Sequence, residues 1–235
     1  MTAQTTFSLD EIDVALAAAG PRPDQDEQRL AAAVLRMLSA GQPVGVSAAA
    51  AAAEIPAPRA AAVLQSWPAV FWDDQGRVTG FWGLALAAMP HRIRRAGTDL
   101  GAWCAWDPLF LARVIGDLEV ATADPVTGTA ITYRISGDGT ITGASHTDSV
   151  LSFLRPGQPW DDNVITSFCH YVWQCTSPAT AQQWTAAHPG TFTLSPGDAA
   201  ELARRHAARV FGTGGEKMEA GPTAGRARRA EERDG

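Results

Sequence analysis

Cysteine is scarce in this chain: three in 235 residues, Cys104, Cys169 and Cys175. An odd, widely spaced set is a poor disulfide framework, and none of the spacings is the C-x-x-C of a structural zinc knuckle or redox pair. At least one thiol is expected to be free, with a cytoplasmic setting as the default. No run reaches the ~18 apolar residues that cross a bilayer. The first twenty residues, MTAQTTFSLDEIDVALAAAG, lack a basic n-region and carry Asp10, Glu11 and Asp13, so no export signal is expected. Cations are too few for a broad phosphate-binding surface, since the formal net charge is −6. There is no internal repeat. With 46% hydrophobic and 19% charged residues, the chain is nevertheless suited to a folded globular protein.

The pattern predicts an α+β protein in two unequal parts and a tail. Asp24 to Ala40 reads as a helix, with Leu30, Val34, Leu35 and Leu38 on one side and Gly41 as its stop. "VSAAAAAAEIP" predicts a second helix capped by Ser47, and "PAPRAAAVLQSW" a third. "AVFWDDQGRVTGFWGLAL" then reads as two strands joined through DDQG. Three helices followed by a hairpin is the winged helix-turn-helix order, placed here at residues 24–89. Its candidate recognition helix, 57–66, carries a single cation, Arg59, which favours a scaffold over a DNA reader.

A second, β-rich part is expected over 90–211. HRIRR (91–95) is a small basic patch, either solvated or an aid in holding an anion. A short helix over 109–115 precedes a strand-rich stretch with turns at DPVTG and SGDG. "DNVITSFCHYVWQC" is dense in β-branched and aromatic residues and predicts a strand. Regular alternation would then put Cys169, Tyr171, Trp173 and Cys175 on one face and His170 on the other, against a Cys169–His170 dyad. "SPATAQQWTAAHPG" reads as a capped helix, and Ser195-Pro196 opens a last one through Phe211. Residues 212–235 balance five cations against five acids without apolar periodicity and read as a disordered tail.

Chemistry concentrates in "AWCAWDPLF" (102–110). At a helix start, Cys104 and Asp107 would share a face. A carboxylate raises a neighbouring thiol's pKa, which makes a poor acyl-transfer nucleophile. A soft metal ion drives a thiol to thiolate, so the same pair suits a metal-bound sulfur beside a proton carrier. The plainer reading is a buried structural cysteine beside a capping aspartate. Trp103, Trp106, Phe110, Phe168 and Trp173 supply either core or the walls of a dry pocket, and Cys175 reads as packing.

Trp103-Cys104-x-x-Asp107, Ser167-Phe168-Cys169, "PATAQQW" (178–184) and His188, in that order, resemble the alkylmercury lyase (organomercurial lyase) family over roughly residues 24–212. The resemblance implies a winged-helix-like N-terminal domain and a β-rich catalytic domain. It implies protonolysis of carbon–mercury bonds in alkyl- and arylmercury compounds, giving a hydrocarbon and Hg(II). The catalytic group, and the ligands of substrate and product mercury, would be Cys104, Asp107 and Cys169, with Trp103, Trp106 and Phe168 lining the substrate pocket. No cofactor is implied; external thiols would support turnover, and Hg(II) would pass to a mercuric reductase in the cytoplasm. Nucleic acid and membrane are not expected partners, and the chain would act as monomer or dimer. The sequence departs from the family at His170 and Asp124, where many members carry further cysteines. Two other readings stand beside this one: a metal-responsive winged-helix regulator, and a thiol-based metal binder without turnover.

Overall fold

The computed structural model describes residues 7–213. Helix α1 (Leu9–Ala19) opens the fold, a helix the periodicity argument did not foresee. It is set by a reciprocal capping box: Ser8 Oγ accepts from the Glu11 N–H at 3.2 Å, and the Glu11 carboxylate accepts from the Ser8 N–H at 2.8 Å. Helix α2 (Gln25–Leu38) follows from an equivalent box at Asp24 and Glu27, and buries Leu30, Val34, Leu35 and Leu38 as the spacing requires. Strand β1 (Val44–Gly45) leads directly into α3 (Val46–Ala53). The cap of α3 is Gly45 rather than Ser47, because the extended backbone of β1 ends there and Ser47 already lies inside the first turn. Helix α4 (Ala57–Ser66) and the hairpin β2 (Val70–Trp72) and β3 (Arg77–Phe81) fall where expected.

Short β4 (Leu84–Ala85) carries the sheet onward to β5 (His91–Arg95) and β6 (Thr98–Ala102). Helix α5 (Asp107–Ile115) comes next, then β7 (Leu118–Ala123), β8 (Ala130–Ile135) and β9 (Ile141–Thr142). These nine strands form one antiparallel sheet in the order β1-β3-β4-β6-β5-β7-β8-β9, with β2 also on β3. Alternation works in HRIRR, now β5: His91 and Ile93 are buried while Arg92 and Arg94 are exposed. Arg94 pairs with Asp99 at 2.7 Å across the β5–β6 hairpin, so part of the basic patch is neutralised locally.

The rest of the chain is β10 (Val150–Leu154), α6 (Val164–Ser167), a 3₁₀ turn (Cys169–Tyr171), β11 (Gln174–Cys175), α7 (Pro178–Ala187), β12 (Thr191–Leu194) and α8 (Pro196–Phe211). β10 is the middle of a second, three-stranded sheet, β11-β10-β12. Helix α8 packs on α1, α2 and α5 and also touches β10 and β12 of the smaller sheet. Trp106 at the start of α5 is fully buried against it and donates its indole N–H to Ala199 O at 3.0 Å. The expected tail lies outside the described residues apart from Gly212 and Thr213, which follow α8 without helix.

One expected element is wrong. Residues 163–175 do not form a strand; they coil through α6 and the 3₁₀ turn, and only Gln174 and Cys175 pair as β. Local bonds override the β-branched composition. Asp161 accepts from the Asn163 N–H at 2.9 Å, Asn163 O then accepts from the Ser167 N–H at 2.9 Å, and Val164 O from the Phe168 N–H at 3.0 Å. The alternating faces proposed for Cys169, Tyr171, Trp173 and Cys175 therefore do not exist. Cys169 is buried and His170 exposed because a tight turn separates them.

Candidate active site

Two segments distant in sequence are clamped together. After β6, the chain carrying Trp103 is tied to the β3–β4 turn, with the Trp103 N–H donating to Gly83 O at 3.0 Å. The Ala105 N–H donates to Val172 O at 3.1 Å, which draws the 3₁₀ turn holding Cys169 against the loop holding Cys104. Ser152 on β10 fixes the far side: its hydroxyl donates to Tyr171 O at 2.7 Å and accepts from the Trp173 N–H at 3.0 Å. Ligand atoms of Cys104, Asp107 and Cys169 consequently lie within 4.8 Å of one another, and all three residues are buried. All three cysteines are free, and Cys175, on β11, is not part of this group.

Asp107 does not cap its helix. Its Oδ2 reaches back to accept the Cys104 N–H at 2.6 Å, so the aspartate belongs to the thiol's own loop. Space for its carboxyl comes from Gly83, whose φ of +91° suits glycine and whose missing Cβ would stand 2.7 Å from Asp107 Cγ. Trp82 just before it is also left-handed, at φ 42°, an unusual state for a bulky residue.

Burial governs the electrostatics. It lifts the Asp107 carboxyl to about 7, against the lowering effect of hydrogen bonds from the Cys104 backbone and thiol and the Trp103 backbone. The Cys104 thiol is pushed well above its ordinary value by burial first, then by its hydrogen bond with Cys169 and by the Asp107 charge. At Cys169 the hydrogen bond with Cys104 pulls the other way, but burial and the Asp107 charge still leave the thiol raised. Near neutral pH the group thus holds two protonated sulfurs and a carboxyl able to take or give a proton. Tyr133 on β8 is raised too, by burial first and then by the negative charge of Cys104 and Asp107.

A small hollow opens onto Asp107 and Cys169, and Trp103, Trp106 and Phe168 are among the residues that line it. Phe110, read from the sequence as core or pocket wall, lines it too, while spacing arguments missed the rest of its wall, including Trp82, Trp160 and His206. These three side chains come from the β3–β4 turn, the loop before α6 and helix α8, so no sequence interval connects them; only "FWG" at 81–83 hinted at a special turn. His206 on α8 lies 5.1 Å from the Trp106 ring, 4.9 Å from Phe110 and 5.8 Å from Trp82, centroid to centroid.

Asp124 has a structural part to play. Its carboxylate accepts from the Thr176 N–H at 2.7 Å and hydroxyl at 2.8 Å, and from the Val126 N–H at 2.9 Å, binding the β7–β8 turn to β11. Burial opposes its ionisation, but these donors outweigh it and hold the group at about 2.

Two buried thiols and a buried carboxyl thus lie within 4.8 Å of one another in a chain with recognisable relatives. The alkylmercury lyase family model matches residues 84–208. An alkylmercury lyase of Staphylococcus epidermidis (strain ATCC 12228 / FDA PCI 1200) is 36% identical over 82% of this chain and 84% of its own. The chain belongs to the alkylmercury lyase family. Other alkylmercury lyases match similarly: that of Bacillus cereus is 36% identical over 73% of this chain and 77% of its own, and that of Pseudomonas putida 33% over 67% and 73%. The mercury-bound form of MerB2 shares the fold, with a TM-score of 0.68 at 17% identity over 86% of this chain and 98% of that one. The family fold is thus the α+β body described above, and the matched residues 84–208 include Cys104, Asp107 and Cys169.

Proposed function

We propose that this alkylmercury lyase cleaves the carbon–mercury bond of alkyl- and arylmercury compounds at Cys104, Asp107 and Cys169. The observation that carries the reading is the convergence of two sulfurs and one carboxyl, 65 residues apart in sequence at the extremes, within 4.8 Å. Mercury is a soft ion and thiolates are the softest ligands a protein offers. As R–Hg–SR′ enters, the two protein thiols replace the carrier thiol and the carbon in turn. One thiol proton leaves with R′S⁻ as R′SH. The other passes through Asp107 to the carbon, so that R–H departs as Hg(II) becomes held between two thiolates. A carboxyl at about 7 suits both halves of that relay. The dry aromatic wall keeps water from the developing carbanion.

The reading extends to the surroundings. External thiols carry the product away, with a mercuric reductase as a fitting recipient; no resident cofactor takes part. No helix among the described residues is long and apolar enough to cross a membrane, consistent with work in the cytoplasm. Residues 24–89 follow the order of a winged helix-turn-helix and serve as a scaffold for the catalytic part at 90–211. Arg59 favours that role, because its guanidinium is taken up by Asp24 at 2.8 Å and by Asp26, leaving α4 little to offer phosphate. The regulator reading loses its main support there.

The test is incubation with phenylmercuric acetate and excess thiol, measuring benzene. Release above the thiol-only rate supports the lyase; none rejects it, and stoichiometric mercury capture without turnover marks a binder.

A further inference from the structure

The aromatic hollow carries three polar atoms that nothing in the fold satisfies. Trp82 Nε1, Trp160 Nε1 and His206 Nδ1 are buried without a hydrogen-bond partner among the described residues. All three side chains line the same hollow, the one that meets Asp107 and Cys169. A buried donor left unpaired carries a penalty comparable to a lost hydrogen bond, and native folds rarely leave several together without a use. The sheet and helix ladders do not require these donors: each is a side chain, and phenylalanine would fill the same wall.

The charge of the hollow narrows what they can take. No lysine or arginine lines it. His206 is kept neutral, at about 3, by burial first and then by the nearby Arg209 charge. Asp107 and Cys169 line it as well, so an anion entering would face a carboxyl and a thiol with no cation in the lining. Two indole N–H groups are suited instead to an uncharged acceptor, and the neutral imidazole joins them as a donor in its Nδ1–H tautomer. The space is about 30 Å³, little more than one water needs, so a ring-sized group enters only if a wall yields. Trp160 is half-buried and sits on the loop between β10 and α6.

We propose that this hollow is a subsite for a neutral hydrogen-bond acceptor on the organic group of the organomercurial, such as a ring nitrogen or ether oxygen, with Trp82, Trp160 and His206 as its donors. The proposal rests on the lyase reading above and deepens it. The site is not a blank apolar socket; it ranks substrates of equal size by whether they carry an acceptor. Pyridyl and phenyl groups are such a pair, since one ring nitrogen replaces one C–H with no added volume.

The experiment compares kcat/KM for phenylmercury and the three pyridylmercury isomers at pH 8, where the pyridine is unprotonated. It uses wild type, Trp160→Phe and Trp82→Phe, with thiol-only controls. The ring nitrogen also alters the intrinsic ease of protonolysis, but equally in every protein, so the pyridyl-to-phenyl ratio of variant over wild type isolates the contact. Loss of a donor should lower that ratio about fivefold for the isomer whose nitrogen faces the donors, while phenylmercury is still cleaved. Unchanged ratios for all three isomers, in every variant that still cleaves phenylmercury, would overturn the subsite. So would a wild type that cleaves phenylmercury and refuses every pyridyl isomer. A wild type that cleaves none of the four compounds rejects the lyase reading and the subsite with it.

Discussion

Replacing Asp107 by Asn leaves shape almost untouched, since the amide oxygen can still accept the Cys104 N–H, but the side chain no longer carries a proton. Its effect on stability can be worked out from the site. The carboxyl titrates at about 7 in the fold and at about 3.9 in an unfolded chain, a gap of about 3 pH units at about 1.4 kcal/mol each. Below pH 4 both states are protonated and ionisation costs nothing. Between 4 and 7 the unfolded chain releases the proton while the folded protein retains it, so stability falls as pH rises. Above 7 the full cost, about 4 kcal/mol, is present. Asp107→Asn escapes it. In urea denaturation the difference in unfolding free energy, variant minus wild type, should therefore move by about 4 kcal/mol toward the variant between pH 4 and pH 8. Constant packing differences cancel in that comparison. Hydrocarbon release should meanwhile fall about 10²–10⁴-fold, the usual worth of a positioned proton carrier, while mercury capture persists. A stability difference that stays flat with pH, or full turnover in the variant, would refute the reasoning.

Other consequences follow from the same geometry. In the wild type, kcat/KM should fall below a pH of about 7, because Asp107 must be ionised to receive a thiol proton; a profile flat from pH 5 to 8 would contradict this. Cys104→Ser and Cys169→Ser should each weaken Hg(II) binding, in competition with a small dithiol, by more than the ~10–100-fold typical of losing a supporting contact around a metal. Gly83→Ala sets a methyl group 2.7 Å from Asp107 Cγ at a φ of +91°; about 1–3 kcal/mol of stability should be lost in thermal or urea unfolding, with activity falling alongside. His206→Leu removes a group held at about 3 against ~6.5 when unfolded. Wild type loses up to about 5 kcal/mol as pH drops from 6.5 toward 3, and the variant should lose correspondingly less over that window.

Much of the site was legible because its chemistry is carried by short segments. Cys104 and Asp107 sit three apart, and Phe168-Cys169 forms a second recognisable piece. The helices α2, α4, α5 and α8 were legible from apolar spacing and caps. Helix α1 went unread, although Ser8 and Glu11 form a capping box ahead of Ile12, Ala15 and Leu16. What composition could not show was the coil at 163–175, where a few backbone hydrogen bonds outweigh a run of strand-forming residues, nor that this coil is what brings Cys169 to Cys104. The pocket wall was hidden for a related reason. Trp82, Trp160 and His206 meet only because the β3–β4 turn, the loop before α6 and helix α8 come together, and that is a property of tertiary packing rather than of any window of sequence.

The claim at the centre of this account is that the sulfurs of Cys104 and Cys169 hold one mercury atom between them. X-ray absorption at the mercury edge, on the stoichiometric complex freed of small thiols, measures this directly. Two sulfur neighbours in the wild type, reduced to one in both Cys104→Ser and Cys169→Ser, is the predicted result. A sulfur count unchanged by either substitution would contradict it.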